Sequence, residues 1–204
     1  MALRFACFIS SCREGRMADR MVKLIQAQFN QTMQPKGHQL ELIDPVKYDL
    51  PLLKKPLHFY KDRSEAPEIL QTLNEKVEQS DCFLILTAEY NMNLPPALTN
   101  LMSQLPPPSF EYKPSGLISY TLGTRGGLAA CVAARPYLAE LGCLPVKHMT
   151  TVSSVHQEVN EDGSTENHFI TESLDDLFQQ VAWWGEATKL KRHTDGVPAK
   201  KGYF

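Results

Sequence analysis

"DCFLILTAEYNMNLPPALTNLM", residues Asp81–Met102, is the stretch from which the fold can be read. Every residue from Cys82 to Leu86 is apolar. An unbroken apolar run of this length suits a strand covered on both faces, as in a parallel sheet between two layers of helices. The run stops abruptly at Glu89, Tyr90, Asn91 and Asn93, two prolines follow, and an apolar helical pattern resumes at Pro96. Polar residues at that point mean that the carboxyl end of the strand faces something other than core.

The same alternation extends in both directions from this strand. Upstream, Leu3–Ile9 reads as a short buried strand and Gly15–Phe29 as an amphipathic helix, with Met17, Met21, Leu24, Ile25 and Phe29 at helical spacing. Pro35 and Gly37 break that helix, Gln39–Ile43 is a second strand, and Asp44–Arg63 is a long proline-rich loop. Pro67–Gln79 is a helix that opens on a proline. Downstream, Pro96–Leu105 is a short helix, Gly116–Thr121 a fourth strand, and Gly126–Leu141 an alanine-rich helix. Leu144–His148 is a fifth strand that extends as far as Val152, and Asn160–Gly163 is a turn. Thr171–Leu190 is the last helix, with Leu174, Leu177, Phe178, Val181 and Trp184 on one face and Asp175 and Asp176 at its N-terminal dipole end.

Alternation without repeat or interior linker predicts one α/β domain. Its size suits a flavodoxin-like three-layer fold: a five-stranded parallel sheet of order 2-1-3-4-5 with helices on both faces. We assign residues 1–190 to this domain and 191–204 to a polar, frayed C-terminal tail.

The 204 residues are enough for one such domain, and 43% apolar with 22% charged residues is ordinary for a soluble globular chain. A formal net charge of −2 offers no electrostatic reason to expect nucleic acid or an anionic membrane as partner. The N-terminal apolar run is too short to span a bilayer and has no basic region followed by a cleavage site, so a cytoplasmic chain is expected. Five cysteines with no C-x-x-C pair support neither a disulfide framework nor a zinc ribbon. Cys7 and Cys82, within apolar runs, read as core, and six scattered histidines give no reason to expect a metal.

In an open sheet of this order ligands bind beyond the carboxyl ends of the strands, at the switch point between strands one and three. That rule selects two loops in advance. The first, "SSCREGRMADR", offers Ser10, Ser11, Arg13, Arg16 and the free N–H groups of a helix expected to begin near Gly15. Together these suit a phosphate dianion. The loop is neither G-x-G-x-x-G nor a Walker A sequence, so a monophosphate fits better than a dinucleotide or triphosphate. An ordinary helix cap by Ser11 accounts for the same residues about as well. The second loop holds Tyr90, a flat amphipathic ring, with Asn91 and Asn93, which tolerate unusual backbone angles. A third, "TLGTRGGLAA", carries Gly123, Gly126 and Gly127, where the backbone can approach a ligand closely. Taken singly, each reads as packing or capping. Three such loops on one sheet edge outline a phosphate attached to a planar ring, the shape of FMN.

Three motifs then carry a family resemblance. "SSCREGR" is similar to a phosphate loop of the form G-S-x-R-x-G-[SR], "AEYNMNLPPALTNLM" to P-E-Y-N-x-x-x-P-x-x-L-K-N, and "SYTLGTRGGLAACVAARPYLAELG" to a fourth-strand loop and helix with a G-G-x-x-A core. From about Arg4 to Leu190 the chain resembles the NADPH-dependent FMN reductases, a family that includes flavin, quinone, azo-dye and chromate reductases. The resemblance implies that Ser11, Arg13 and Arg16 bind the FMN phosphate. It implies that Glu89, Tyr90, Asn91 and Asn93 lie along the isoalloxazine and ribityl chain, and that Gly123, Thr124, Arg125 and Gly126 hold the pyrimidine edge, largely through backbone. It also implies a homodimer or tetramer and a small-molecule electron acceptor. The chain departs from the pattern at Ser10 (usually glycine), Ala88 (proline), Thr99 (lysine) and "SQLPPP", which replaces a D-W-L segment.

The expected activity is FMN-dependent oxidation of NADPH or NADH, with hydride passing to flavin N5 and on to a quinone-like acceptor. No side-chain nucleophile or general base is required of the protein. The alternative, from another class, is a flavin-binding electron carrier or redox-responsive binding module without NAD(P)H turnover. Near-neutral charge counts against the carrier.

Overall fold

A computed structural model describes residues 1–198. In chain order the elements are β1 (Arg4–Ile9), α1 (Ala18–Thr32), β2 (Gln39–Ile43), α2 (Pro45–Tyr48), α3 (Glu68–Gln79), β3 (Cys82–Ala88), α4 (Pro96–Ser103), β4 (Pro114–Tyr120), α5 (Leu128–Glu140), β5 (Leu144–Val152), α6 (Val155–Glu158) and α7 (His168–Asp195). All five strands are parallel, in the order β2-β1-β3-β4-β5. This is the flavodoxin-like order expected from the sequence. Among the described residues no helix is long and apolar enough to cross a membrane.

The two-residue repeat of a strand sends alternate side chains to opposite layers. Phe5, Cys7 and Ile9 of β1, with Leu84 and Leu86 of β3, pack beneath α1 and α7. Ala6, Phe8, Phe83 and Ile85 pack against α3, α4 and α5. All seven residues of β3 are buried, which is why that stretch carries no polar residue until Thr87. Register brings Ile9 beside Leu86 and Ala88 beside Tyr120, so the carboxyl ends of β1, β3 and β4 lie side by side.

Several elements differ from the sequence expectation. The helix expected from Gly15 starts at Ala18, because Gly15 takes a left-handed φ of 64° that no helical turn accommodates. The long 44–63 loop contains α2 and two short 3-10 turns, at Leu57–Phe59 and Arg63–Glu65. Its Leu57 is buried, and Asn100 of α4 with Gln104 just past its end hold it by hydrogen bonds to Leu53, Pro51 and Leu57. The last helix begins at His168, capped by Asn167, so Asp175 and Asp176 sit in its second and third turns, and Asp175 accepts from Gln28 at 2.8 Å. Trp184 is 47% exposed rather than inward-facing. Gly185 takes the buried place instead, because a Cβ there would overlap the Cys82 sulfur. Residues 191–195 of the expected tail are helical, and the part from 199 onward lies outside the described residues.

Candidate functional site

A cleft of about 310 Å³ opens at the carboxyl ends of β1, β3 and β4, within the size range of small-molecule sites. Its walls include Ser11, Arg13, Glu14, Gly15 and Arg16 after β1, Ala88, Glu89 and Tyr90 after β3, and Tyr120, Thr121 and Leu122 after β4. Met17 and Val155 complete it. The switch-point rule therefore located the cleft, and five of the residues singled out in the sequence line it.

The loop after β1 is a cradle of unspent donors. Among the described residues the backbone N–H groups of Ser11, Cys12, Glu14, Gly15 and Met17 make no hydrogen bond, that of Arg16 closes a turn around Glu14 and Gly15, and that of Arg13 reaches the Ser11 hydroxyl at 3.4 Å. The left-handed Gly15 faces open space, with nothing within 4 Å of where a Cβ would lie. Consecutive N–H groups turned by a left-handed residue form a concave anion site. Helix α1 has no side-chain cap, which adds the positive end of its dipole.

The two arginines of this loop have different surroundings. Arg16 is held between two carboxylates: Nη1 and Nη2 donate to Asp44 at 2.7 and 2.5 Å, and Nε donates to Asp19 at 2.9 Å. Nη1 also donates to the Ser11 carbonyl at 2.6 Å. Burial works to raise the Asp44 carboxyl, but the bonds from Arg16 and the Val46 N–H outweigh it and hold Asp44 below the usual carboxylate range. Arg16 thus ties the loop to the start of α2, with its fork already occupied. The Arg13 side chain is exposed, lies 3.6 Å over the Tyr90 ring, and makes no hydrogen bond among the described residues.

Tyr90 joins the first and second loops, its hydroxyl 2.6 Å from that of Ser11. Its N–H and C=O exchange bonds with Asn93 around a two-residue turn in which Asn91 and Met92 both have positive φ, 53° and 62°. Asn91 suits that conformation, whereas Met92 is strained by it. Neither Asn91 nor Asn93 lines the cleft, and the Asn93 side chain accepts from the Leu94 N–H. Glu89 accepts from the Ala129 and Ala130 N–H groups at 3.0 and 3.3 Å, so it caps α5 from the neighbouring loop.

In the third loop the cleft is lined by Thr121 and Leu122 rather than by Gly123, Thr124, Arg125 or Gly126. Gly123 and Thr124 accept from Ser154 and Ser153, Arg125 accepts from Leu128, and Gly126 accepts from the Ser119 hydroxyl. Gly126 is buried with φ 64°, and a Cβ on it would come within 3.0 Å of Thr151. Tyr120, Thr121, Leu122 and Val155 escape sequence reading because they belong to a strand end and to a helix-start residue with no polar pattern of their own. The register of β4 brings Tyr120 and the two residues after it to the cleft, and the bond from the Val155 N–H to the Thr121 carbonyl brings Val155 beside them.

The donor set matches a phosphate monoester, and the Tyr90 ring, Ala88, Leu122, Met17 and Val155 provide apolar wall beside it. A scan against family models matches residues 3–157 to the NADPH-dependent FMN reductases. The chain belongs to the NADPH-dependent FMN reductase family. An NADPH azoreductase from Bacillus sp. (strain OY1-2) is 23% identical over 142 residues, covering 70% of this chain and 80% of that one. Among solved structures, the flavoenzyme NAD(P)H:(acceptor) oxidoreductase FerB from Paracoccus denitrificans superposes with a TM-score of 0.70 at 20% identity, over 91% of this chain and 98% of that one. RosB, solved with the bound intermediate 8-demethyl-8-formylriboflavin-5'-phosphate, superposes with a TM-score of 0.67 at 10% identity, over 98% and 91%. At these identities the superpositions establish the fold. The cleft lies at the switch point between β1 and β3, where open α/β sheets of this order bind ligands.

Proposed function

We propose that this FMN reductase family member is an FMN-dependent NAD(P)H oxidoreductase that uses NADPH or NADH to reduce a small electron acceptor such as a quinone. The observation that carries the reading is the 11–17 loop, five unbonded N–H groups and one unbonded guanidinium at the switch point of the sheet. When bound, FMN would supply hydride acceptance at N5 and onward electron transfer.

The protein's residues have distinct tasks in this reading. Ser11, Arg13 and the loop N–H groups hold the phosphate. Arg16, clamped by Asp44 and Asp19, keeps the loop in its concave shape, a positioning role. Tyr90, Ala88 and Leu122 flank the flavin ring and limit water beside it. The carbonyls of Gly123, Thr124, Arg125 and Gly126 are already bonded, so in this reading their turn meets the pyrimidine edge from outside the cleft wall, through the N–H groups of Thr124, Arg125 and Gly126. Asn91 and Asn93 set the turn that aims Tyr90, and Glu89 fixes the start of α5. No side-chain acid or base is needed, because the reaction is positioning of two substrates in turn over one ring. We further propose a cytoplasmic homodimer.

Anaerobic titration tests the activity. Protein loaded with FMN should be yellow, and NADPH or NADH should bleach its visible absorbance within seconds and a quinone restore it. Flavin that stays oxidised under either nucleotide would reassign the protein as a carrier, and protein that cannot be loaded with FMN would reject both readings.

A further inference from the structure

Tyr120 ends β4 against the floor of the cleft and is 4% exposed, yet its hydroxyl is enclosed and has no hydrogen-bond partner among the described residues. Buried hydroxyls are nearly always bonded. If Tyr120 served packing alone, phenylalanine would fill the same space with no unbonded oxygen. Its surroundings identify the missing partner. The Ser11 hydroxyl faces the Tyr120 hydroxyl closely enough to favour the ionised phenol, but the pair falls outside hydrogen-bond geometry and Ser11 is already bonded to the Tyr90 hydroxyl at 2.6 Å; the charges of Arg16 and Asp19 act on Tyr120 from the loop after β1. A phenol there is a donor in need of an acceptor, and burial keeps it protonated. The uncommitted donors of the neighbourhood, the cradle of N–H groups and the Arg13 guanidinium, suit an acceptor-only ligand. Glu14, also on the cleft wall, is exposed and disfavours an anion without blocking it.

We propose that Tyr120 is a binding residue of the phosphate site, its hydroxyl donating to a phosphoryl oxygen that takes the place of Tyr90 beside Ser11. Tyr90 occupies the Ser11 hydroxyl at 2.6 Å. An incoming phosphate monoester displaces it and brings the acceptor that Tyr120 lacks. The inference rests on the FMN reading for the identity of the ester, but not for the anion site itself.

Tyr120→Phe tests it. Apoprotein is titrated with inorganic phosphate by 31P NMR, and with FMN and riboflavin by quenching of flavin fluorescence. The expected result is roughly tenfold weaker FMN and phosphate binding, with riboflavin within about twofold of wild type. The thermal midpoint of the apoprotein should be unchanged or higher, since an unbonded hydroxyl has been removed. Unchanged FMN and phosphate affinities would overturn the proposal. Equal losses for both flavins would move the hydroxyl to the ribityl chain or ring, and a fall in apoprotein stability would make its role structural; either result overturns it. Wild-type protein that binds phosphate but neither flavin would reject the FMN reading; the proposal then stands if Tyr120→Phe weakens phosphate roughly tenfold and falls if it does not. Wild-type protein that binds none of the three overturns both.

Discussion

Arg13 and Arg16 stand three positions apart in one loop and carry the same charge, but their surroundings separate them. Arg16 is 10% exposed in its side chain and has carboxylates on both sides. Arg13 is exposed, and only an aromatic face holds it. A guanidinium stacked on a ring keeps its in-plane donors free, so Arg13 is the arginine that can meet a phosphate. Arg13→Ala should therefore weaken FMN binding by about 1.5–3 kcal/mol and leave riboflavin almost unaffected, as read by fluorescence titration of both ligands. Equal losses would place the phosphate elsewhere. From sequence, the two arginines read as equivalent donors to one anion. Asp44, 28 positions beyond Arg16, is what distinguishes them, and local sequence carries no sign of that contact.

At the scale of elements, the cleft depends on contacts that bring strand ends and helix starts together. Asp44 caps α2 through the Val46 N–H and clamps Arg16, so one carboxylate couples the end of β2 to the loop after β1. Asp44→Asn keeps the cap geometry and loses the ion pair, and should cost about 1–3 kcal/mol at neutral pH in urea unfolding. The sign of the pH dependence follows from a carboxyl held lower in the folded than in the unfolded state. Its stabilisation is complete above the unfolded value of about 4 and is lost as pH falls through the lower folded value. The gap between wild type and variant should thus be constant from pH 5 to 7 and close at more acidic pH; a gap unchanged at pH 2 would contradict the assignment. Helix α5 depends on its neighbours in the same way. Gly127 takes φ 77° at its start, where a Cβ would meet Ser119 at 3.0 Å, and Glu89 supplies the missing cap. The glycines are visible in the sequence, but whether they serve a ligand or packing is not. In this loop Gly126 and Gly127 answer to Thr151 and Ser119.

At the scale of the whole molecule, helices α5 and α7 carry apolar side chains that the single chain leaves uncovered. Leu128 and Val132, one turn apart on α5, are 49% and 58% exposed, and this helix starts at the Glu89 contact beside the cleft. An exposed apolar stripe in that position suits a subunit contact close to the site. Sedimentation should give twice the chain mass, and Val132→Glu should shift the protein toward monomer with its circular dichroism intact; a wild-type monomer would remove the homodimer from the proposal. The alternation of buried strands with amphipathic helices, the five-strand order and the position of the ligand edge all follow from the sequence alone. They rest on periodicity, on the fully apolar β3 and on rules that hold for any sheet of this topology. The tertiary structure alone decided which residues face the cleft. Arg16 turned to Asp44, Glu89 to α5, and Tyr120, unmarked in sequence, came to the wall through its pairing with Ala88. The physical reason is the reach of the interactions: strand and helix periodicity is set between neighbours in the chain, whereas a side chain's partner is chosen among groups that meet only after the sheet has formed.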